Sequence, residues 1–275
     1  MTIPAITWAG TLTATSSIAH DGETRGMISL LRREQIIQPD SSIALVPIIS
    51  GNSVRGRLRR IAEELLRDIL QYEGHLTPSA AHALRAGGSL TKVAGEPLSG
   101  SRLAAIRAHL PLIGVFGTAA GGRIIDGCLN VGKLVPLVTE TDHLTGHHSA
   151  LSAFSIVQAE RYTRLDDSNT HNFPITSEPN PAPAETQMLF QVETFMPGTT
   201  FTTQITLLRP TELEAAFFAA VLAQFLARPR IGGHLAIGLG HALAHLVPDT
   251  DPPAMDWAKW LRSHRKQAID ALAQL

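Results

Sequence analysis

Four arginines fall within six residues, Arg55, Arg57, Arg59 and Arg60, at the start of a segment whose apolar residues recur at helical spacing. Arg55 and Arg59 are four apart and share a helix face. Two guanidinium forks on one face can each grip a phosphate through paired N–H bonds. The helix end itself favours an anion, through its free N–H groups and partial positive charge. Arginine there runs against the dipole's preference, which weighs towards a bound anion. The competing reading is a solvated basic face that balances Glu63, Glu64 and Asp68 one turn later.

The other candidates are weaker. Gly232-Gly233-His234 to Gly238-Leu239-Gly240 could bring backbone close to a ligand or simply make a tight turn. A helix precedes it and a strand follows, the reverse of a dinucleotide fingerprint, and it lacks the Lys-Ser/Thr of a phosphate-cradling loop. By itself it reads as a turn. Asp142, His143, His147 and His148 could ligate a metal, since His143 and His147 would share a helix face, but Thr145 and Gly146 weigh against a regular helix. His20 and Asp21 suit acid–base work or a polar turn equally. No Ser-His-Asp set sits on a recognisable elbow, and Cys128, in an apolar run, reads as a core residue.

Composition sets the bounds. The 275 residues carry 23 Lys+Arg against 24 Asp+Glu, a net charge of −1, which excludes a globally basic nucleic-acid coat and an acidic solvating chain. Hydrophobic residues at 44% supply a core, and 5% aromatics argue against an aromatic stacking platform for RNA. One cysteine excludes an intramolecular disulfide framework and a cysteine-based zinc site. The start MTIPAITWAG has no basic region leading into an apolar run, and no stretch approaches a membrane span, so a cytoplasmic protein is expected.

The elements that must position these residues follow from periodicity. Ile3 to His20 predicts a strand, His20 to Gly26 a polar turn, and Ser41 to Ile49 a strand that Pro47 confines to an edge. Val54, Leu58, Ile61, Leu65 and Ile69 predict a helix capped by Ser50, Asn52 or Ser53 and closed by Gly74. Thr77 to Arg107 reads as short helices, an insertion rather than core. Leu112 to Leu137 reads as a glycine turn feeding a strand. Ser155 to Arg164 begins another strand, and the proline-rich stretch Leu165 to Glu185 is a long excursion. Met188 to Leu208 predicts two strands with a hairpin turn at Pro197-Gly198. Thr211-Glu-Leu-Glu214 is a capping box for a helix that Pro229 stops, and a last amphipathic helix starts at Asp256. This order suggests an α+β, ferredoxin-like core.

Four of these motifs, in this order, resemble one family. ALVPIISGNSVRGRLRR is similar to the strand, Pro, Gly-Ser and basic-helix motif of the RAMP superfamily of CRISPR-associated RNA-binding proteins. GVFGTAAGGR resembles its Phe-Gly turn. ERYTRLDDSN, with the excursion and MLFQVETFMPGTTFTTQITL, resembles its thumb hairpin and following strands, and GGHLAIGLGHA its C-terminal glycine-rich loop. Among subfamilies the chain looks most like the backbone subunit that polymerises along guide RNA, in its type IV version.

The resemblance implies a single modified RRM-like domain over residues 1–275. Its palm would span about 1–74, 111–160 and 188–250, with a helical insertion at about 75–110, a thumb at about 161–187 and a C-terminal helix at about 256–273. The subunit would grip the sugar–phosphate backbone of guide RNA and leave sequence recognition to pairing with a target nucleic acid. Copies would line up in a helical filament beside other effector subunits, with no membrane, metal or cofactor involved. The implied RNA-binding set is Asn52, Ser53, Arg55, Arg57 and Arg59, then Arg161 and Arg164, then Gly232, Gly233 and His234. Two departures matter. The glycine loop lacks the family's basic residues apart from His234. Type III relatives cut RNA with an Asp before the basic helix, where Ser29 stands in this sequence, so binding without cutting is expected. Asp21 lies nearby. The alternative is a ribonuclease, type III-like or processing guide precursors with a histidine such as His20 as base.

Overall fold

The computed structural model describes residues 2–88, 98–164 and 188–275. The chain forms β1 (Ile6–Ala14), β2 (Asp21–Arg25), β3 (Ile28–Leu31), β4 (Arg33–Ile37) and β5 (Ile43–Pro47) before the long helix α1 (Gly51–Leu70). Helices α2 (Pro78–Ala86) and α3 (Gly100–His109) lead to α4 (Pro111–Phe116). Short strands follow: β6 (Thr118–Ala120), β7 (Arg123–Ile125), β8 (Leu129–Val131) and β9 (Val135–Pro136), then the short helix α5 (Asp142–Thr145). The rest is β10 (Val157–Arg164), β11 (Met188–Phe195), β12 (Thr200–Leu207), α6 (Glu212–Ala227), β13 (Ala242–Pro248), α7 (Trp257–Ser263) and α8 (Arg265–Leu272).

The architecture is α+β. The largest sheet runs β13-β1-β12-β8, with β9 also on β12, and every pairing in it is antiparallel. Strict alternation builds its inner face: Ile6, Trp8, Leu12, Phe201, Ile205 and Leu207 are buried, whereas Thr7, Thr11, Thr13, Thr200, Thr202 and Thr206 lie on the other side. Helices α1 and α6 share the core with that face, and Trp8 meets Phe218 edge-on at 5.4 Å. Ser50 caps α1 by accepting the Ser53 N–H. The expected capping box starts α6: Thr211 Oγ1 accepts from Glu214 N at 3.2 Å, and Thr211 N donates to the Glu214 carboxylate at 2.7 Å.

A second sheet, β10-β11-β3-β2, stands apart from the first, and β4 and β5 form their own hairpin. A bidentate bridge ties that hairpin to the second sheet. Arg33 donates to both oxygens of Glu193, at 2.8 and 3.0 Å, while the Leu31 N–H donates to the same carboxylate. Burial pushes the Glu193 carboxyl up, but the Arg33 fork and the Leu31 amide outweigh it and hold the group below its ordinary range.

Several expectations need correction. His20 to Gly26 is not only a turn: Asp21–Arg25 pairs with β3, and its uniformly exposed residues give no alternation to read. Leu112 to Phe116 is helical, and all of α4 is buried, so no polar face marks it. Pro197-Gly198 joins strands of two different sheets instead of closing a hairpin. Helix α1 ends on Gln71 in the left-handed region, before Gly74. The segment expected to be peripheral shares the core, since Leu84, Leu98 and Ile106 are buried in the main cluster. The C-terminal helix is two helices that meet at His264. The expected thumb, beyond the end of β10, lies outside the described residues. Among the described residues no helix is long and apolar enough to cross a membrane.

Candidate nucleic-acid interface

One short strip, Ser17 to Asp21, gathers the segments singled out from the sequence. It connects β1 in the first sheet to β2 in the second. Ile18 exchanges backbone hydrogen bonds with Phe195 at the end of β11, at 3.1 and 2.8 Å. Ala19 O accepts the Gly233 N–H at 2.8 Å, and Ser17 O accepts that of Gly240 at 2.8 Å, so both ends of the glycine-rich loop are pinned to it. His20 Nε2 accepts the Ser50 N–H at 3.1 Å, which docks the strip on the start of α1. The end of β11, the glycine loop and the basic helix therefore meet at one place.

The glycine loop is built for this contact. Gly232 has φ +80°, and a Cβ there would lie 2.1 Å from Ala19 O, so only glycine fits. His234 next to it holds a left-handed conformation (φ +57°) despite carrying a side chain. Its ring stacks on Tyr162 of β10, with centroids 6.4 Å apart and planes 12° from parallel. Its Nε2 lies 3.8 Å from the Asp21 carboxylate. Tyr162 packs in turn on Ala19, Val192 and Leu239. Further along the same face of β10, Glu160 accepts from Ser17 Oγ at 2.6 Å.

The basic helix divides its arginines between two faces. The forks of Arg55 and Arg59, expected to hold phosphates, hold backbone carbonyls instead. Arg55 donates to Leu129 O and Phe116 O at 2.6 and 2.7 Å. Arg59 donates to Ala83, Leu84, Phe116 and Gly117 carbonyls between 2.7 and 3.2 Å, and is only 8% exposed. Those carbonyls end α2 and α4, where helices leave acceptors unpaired and favour a cation. Burial lowers both pKa values, that of Arg59 to about 10 with help from Arg55. On other faces of the helix, Asn52 and Arg60 are exposed and Ser53 and Arg57 half-buried. Arg57 Nε is buried without a hydrogen-bond partner among the described residues. Arg161 is exposed on β10, and the Arg164 side chain lies outside the described residues.

Arg32 escaped the sequence reading. It sits between β3 and β4, where its N–H donates to His20 O and its carbonyl accepts from Ile48 N. Its side chain is exposed and makes no ion pair among the described residues, unlike its neighbour Arg33. No local signal set Arg32 apart from Arg33, because it forms the one-residue link between β3 and β4.

The remaining candidates are accounted for locally. His20 has its Nε2 lone pair engaged by Ser50, which places its proton on Nδ1. Burial and then Arg32 lower its pKa against an opposing pull from Asp21. Ser29 lies in β3, paired with β2 and β11. Gly146 turns left-handed and ends α5 at Thr145, so His147 does not continue the face of His143, which contacts Ile37 O. His148 lies 3.5 Å from Asp142. Among the described residues no group of three His, Cys, Asp or Glu side chains could hold a metal ion. Burial, with Glu214, pushes the Cys128 thiol up to about 12, which leaves it a protonated, inert side chain.

No family model matches the chain, and no curated protein does. Among solved structures, a chain of a "Type IV-B CRISPR Complex" superposes with a TM-score of 0.66 and 29% identity, covering 94% of this chain and 98% of that one. Fold and sequence thus agree over nearly the whole of both chains, and the resemblance to CRISPR effector proteins stands at the level of type IV: this chain is similar to a subunit of a type IV-B CRISPR complex.

Proposed function

We propose that this protein is a non-catalytic backbone subunit that grips the sugar–phosphate chain of a guide RNA and presents its bases for target pairing. The observation that carries this reading is the convergence on Ser17–Asp21 of the N-terminus of α1, the glycine loop and the thumb-base strands. Two features there suit a polyanion: the start of a 20-residue helix with no acidic residue in its first turn, and an exposed arginine, Arg32, whose backbone N–H donates to His20 O in the same strip. The palm is ferredoxin-like in this reading. The sheet order β13-β1-β12-β8, with α1 between β1 and β8 and α6 between β12 and β13, is the split βαβ arrangement.

Phosphates fall to the face of α1 that carries Asn52, Ser53 and Arg57, to Arg32 and to Arg161, with the glycine loop alongside; Arg55 and Arg59 position that helix. Two features support binding without cutting: Ser29 stands where a cleaving relative would carry Asp, and His20 has its basic lone pair in use. Copies side by side along the RNA would bury the apolar ridge formed by Ile37, Ile43 and Leu45 on the β4–β5 hairpin with Phe154, which are 70%, 63%, 60% and 90% exposed.

Fluorescence anisotropy with a labelled single-stranded RNA tests this. Wild-type protein is expected to bind in a salt-dependent manner and to leave the RNA intact. Arg32→Ala and Arg57→Ala should each weaken binding of every sequence alike and flatten the log–log salt slope by about 0.7. Unchanged affinity and slope in the double variant would remove the phosphate assignment, and cleavage of the RNA would remove the non-catalytic one.

A further inference from the structure

We propose that the ring of His234, stacked on Tyr162, is a platform for one unpaired nucleobase of the bound RNA. The inference rests on the RNA-binding reading above and adds a base-contacting site to it.

The backbone supplies the first argument. The loop uses glycine where the left-handed region is required, at Gly232, Gly238 and Gly240, yet position 234 keeps an imidazole at φ +57°. A side chain retained in a strained conformation points to a use for that side chain. The second argument is the stack. Tyr162 is fixed from below by Ala19, Val192 and Leu239, and the His234 ring lies 12° from parallel to it, with its side chain 37% exposed. A firmly seated ring under a partly open one is the arrangement on which a further aromatic plane can stack. Tyr162 Oη is buried and has no hydrogen-bond partner among the described residues.

The surroundings select the ligand. The stack borders the same strip that docks the start of α1 and lies beside Arg32. A ligand that offers flat aromatic faces and regularly spaced anions is a single-stranded nucleic acid, whose bases stack on His as well as on Tyr, Phe and Trp. A His234 that merely touched a phosphate would need neither Tyr162 nor a parallel ring.

The test uses a single-stranded oligoadenylate RNA in which 2-aminopurine replaces adenine at one position, the position being moved through the probe. Stacking quenches that fluorophore, and anisotropy reports binding independently. Wild-type protein is expected to quench it at regularly spaced positions. His234→Ala should abolish the quench and weaken binding roughly thirtyfold, the middle of the range for one stacked base. His234→Phe should restore both, which a charge contact would not. Tyr162→Phe should behave as wild type and Tyr162→Ala as His234→Ala, so a His234→Phe variant that melts early leaves the tyrosine pair to decide. RNA bound without any quench, or His234→Ala and Tyr162→Ala quenching as wild type, overturns the platform alone. RNA not bound at all overturns the reading on which it rests.

Discussion

Arg59 and Arg57 lie two positions apart and serve opposite ends. Arg59 gives four N–H bonds to carbonyls at the ends of α2 and α4, whereas Arg57, half-buried, makes none of these contacts. Arg59→Ala would leave those acceptors unpaired, a loss of about 3 kcal/mol. The melting temperature should fall by roughly 6–12 °C for a chain of this size. Arg59→Lys should not recover it, because an ammonium cannot span a fork's acceptors. A melting curve like that of wild type would show the carbonyl contacts to be incidental. His20 makes a second residue-scale prediction. Its folded pKa lies below the ordinary 6.5, so the unfolded chain takes up a proton first as the pH falls. Its contribution is therefore complete above about 6.5 and is lost as the pH drops through the folded value. Thermal melts between pH 7.5 and 5 should decline less steeply in His20→Gln, whose amide oxygen can still accept from Ser50; identical slopes would exclude the coupling.

At the scale of elements, the glycine loop acts as a clip between the two sheets. Gly232→Ala would force a Cβ towards Ala19 O, detaching Gly233 and carrying His234 off Tyr162. The expected result is RNA binding weakened more than tenfold with a melting temperature lowered by only a few degrees, since the loop covers little core. A variant that binds as wild type would show that the loop is not part of the interface. Much of this layer was legible beforehand. The period of α1, the capping box of α6 and the alternation of β12 are local signals, and each predicted its element. What escaped lacked a local signal. Strand β2 is exposed on both faces, α4 is buried on every side, and the separation of β11 from β12 depends on partners far away in sequence. The site divides likewise. Motif order located α1 and the glycine loop, but which arginine faces outward depends on where α4 packs.

Over the whole molecule, near-neutrality is compatible with a local grip because the cations are distributed by role: some cap helices, one is bridged to Glu193, and a few border the interface. In the proposed array, the low net charge of −1 would also limit repulsion between copies. Assembly should therefore depend on apolar contact. Phe154→Ser combined with Leu45→Ser is expected to leave affinity for an RNA long enough for one subunit unchanged while abolishing multi-subunit arrays on longer RNA, as seen by light scattering and electron microscopy. Arrays that persist would place the neighbour contact elsewhere. The strip from Ser17 to Asp21 has a consequence for motion. Its own amides and those it receives are shared among β11, the glycine loop and α1, so none of these can open without exposing the rest. Ile18, Gly233, Gly240 and Ser50 should then share one protection factor against deuterium exchange, and a ligand that touches any one of these elements should raise protection in all of them.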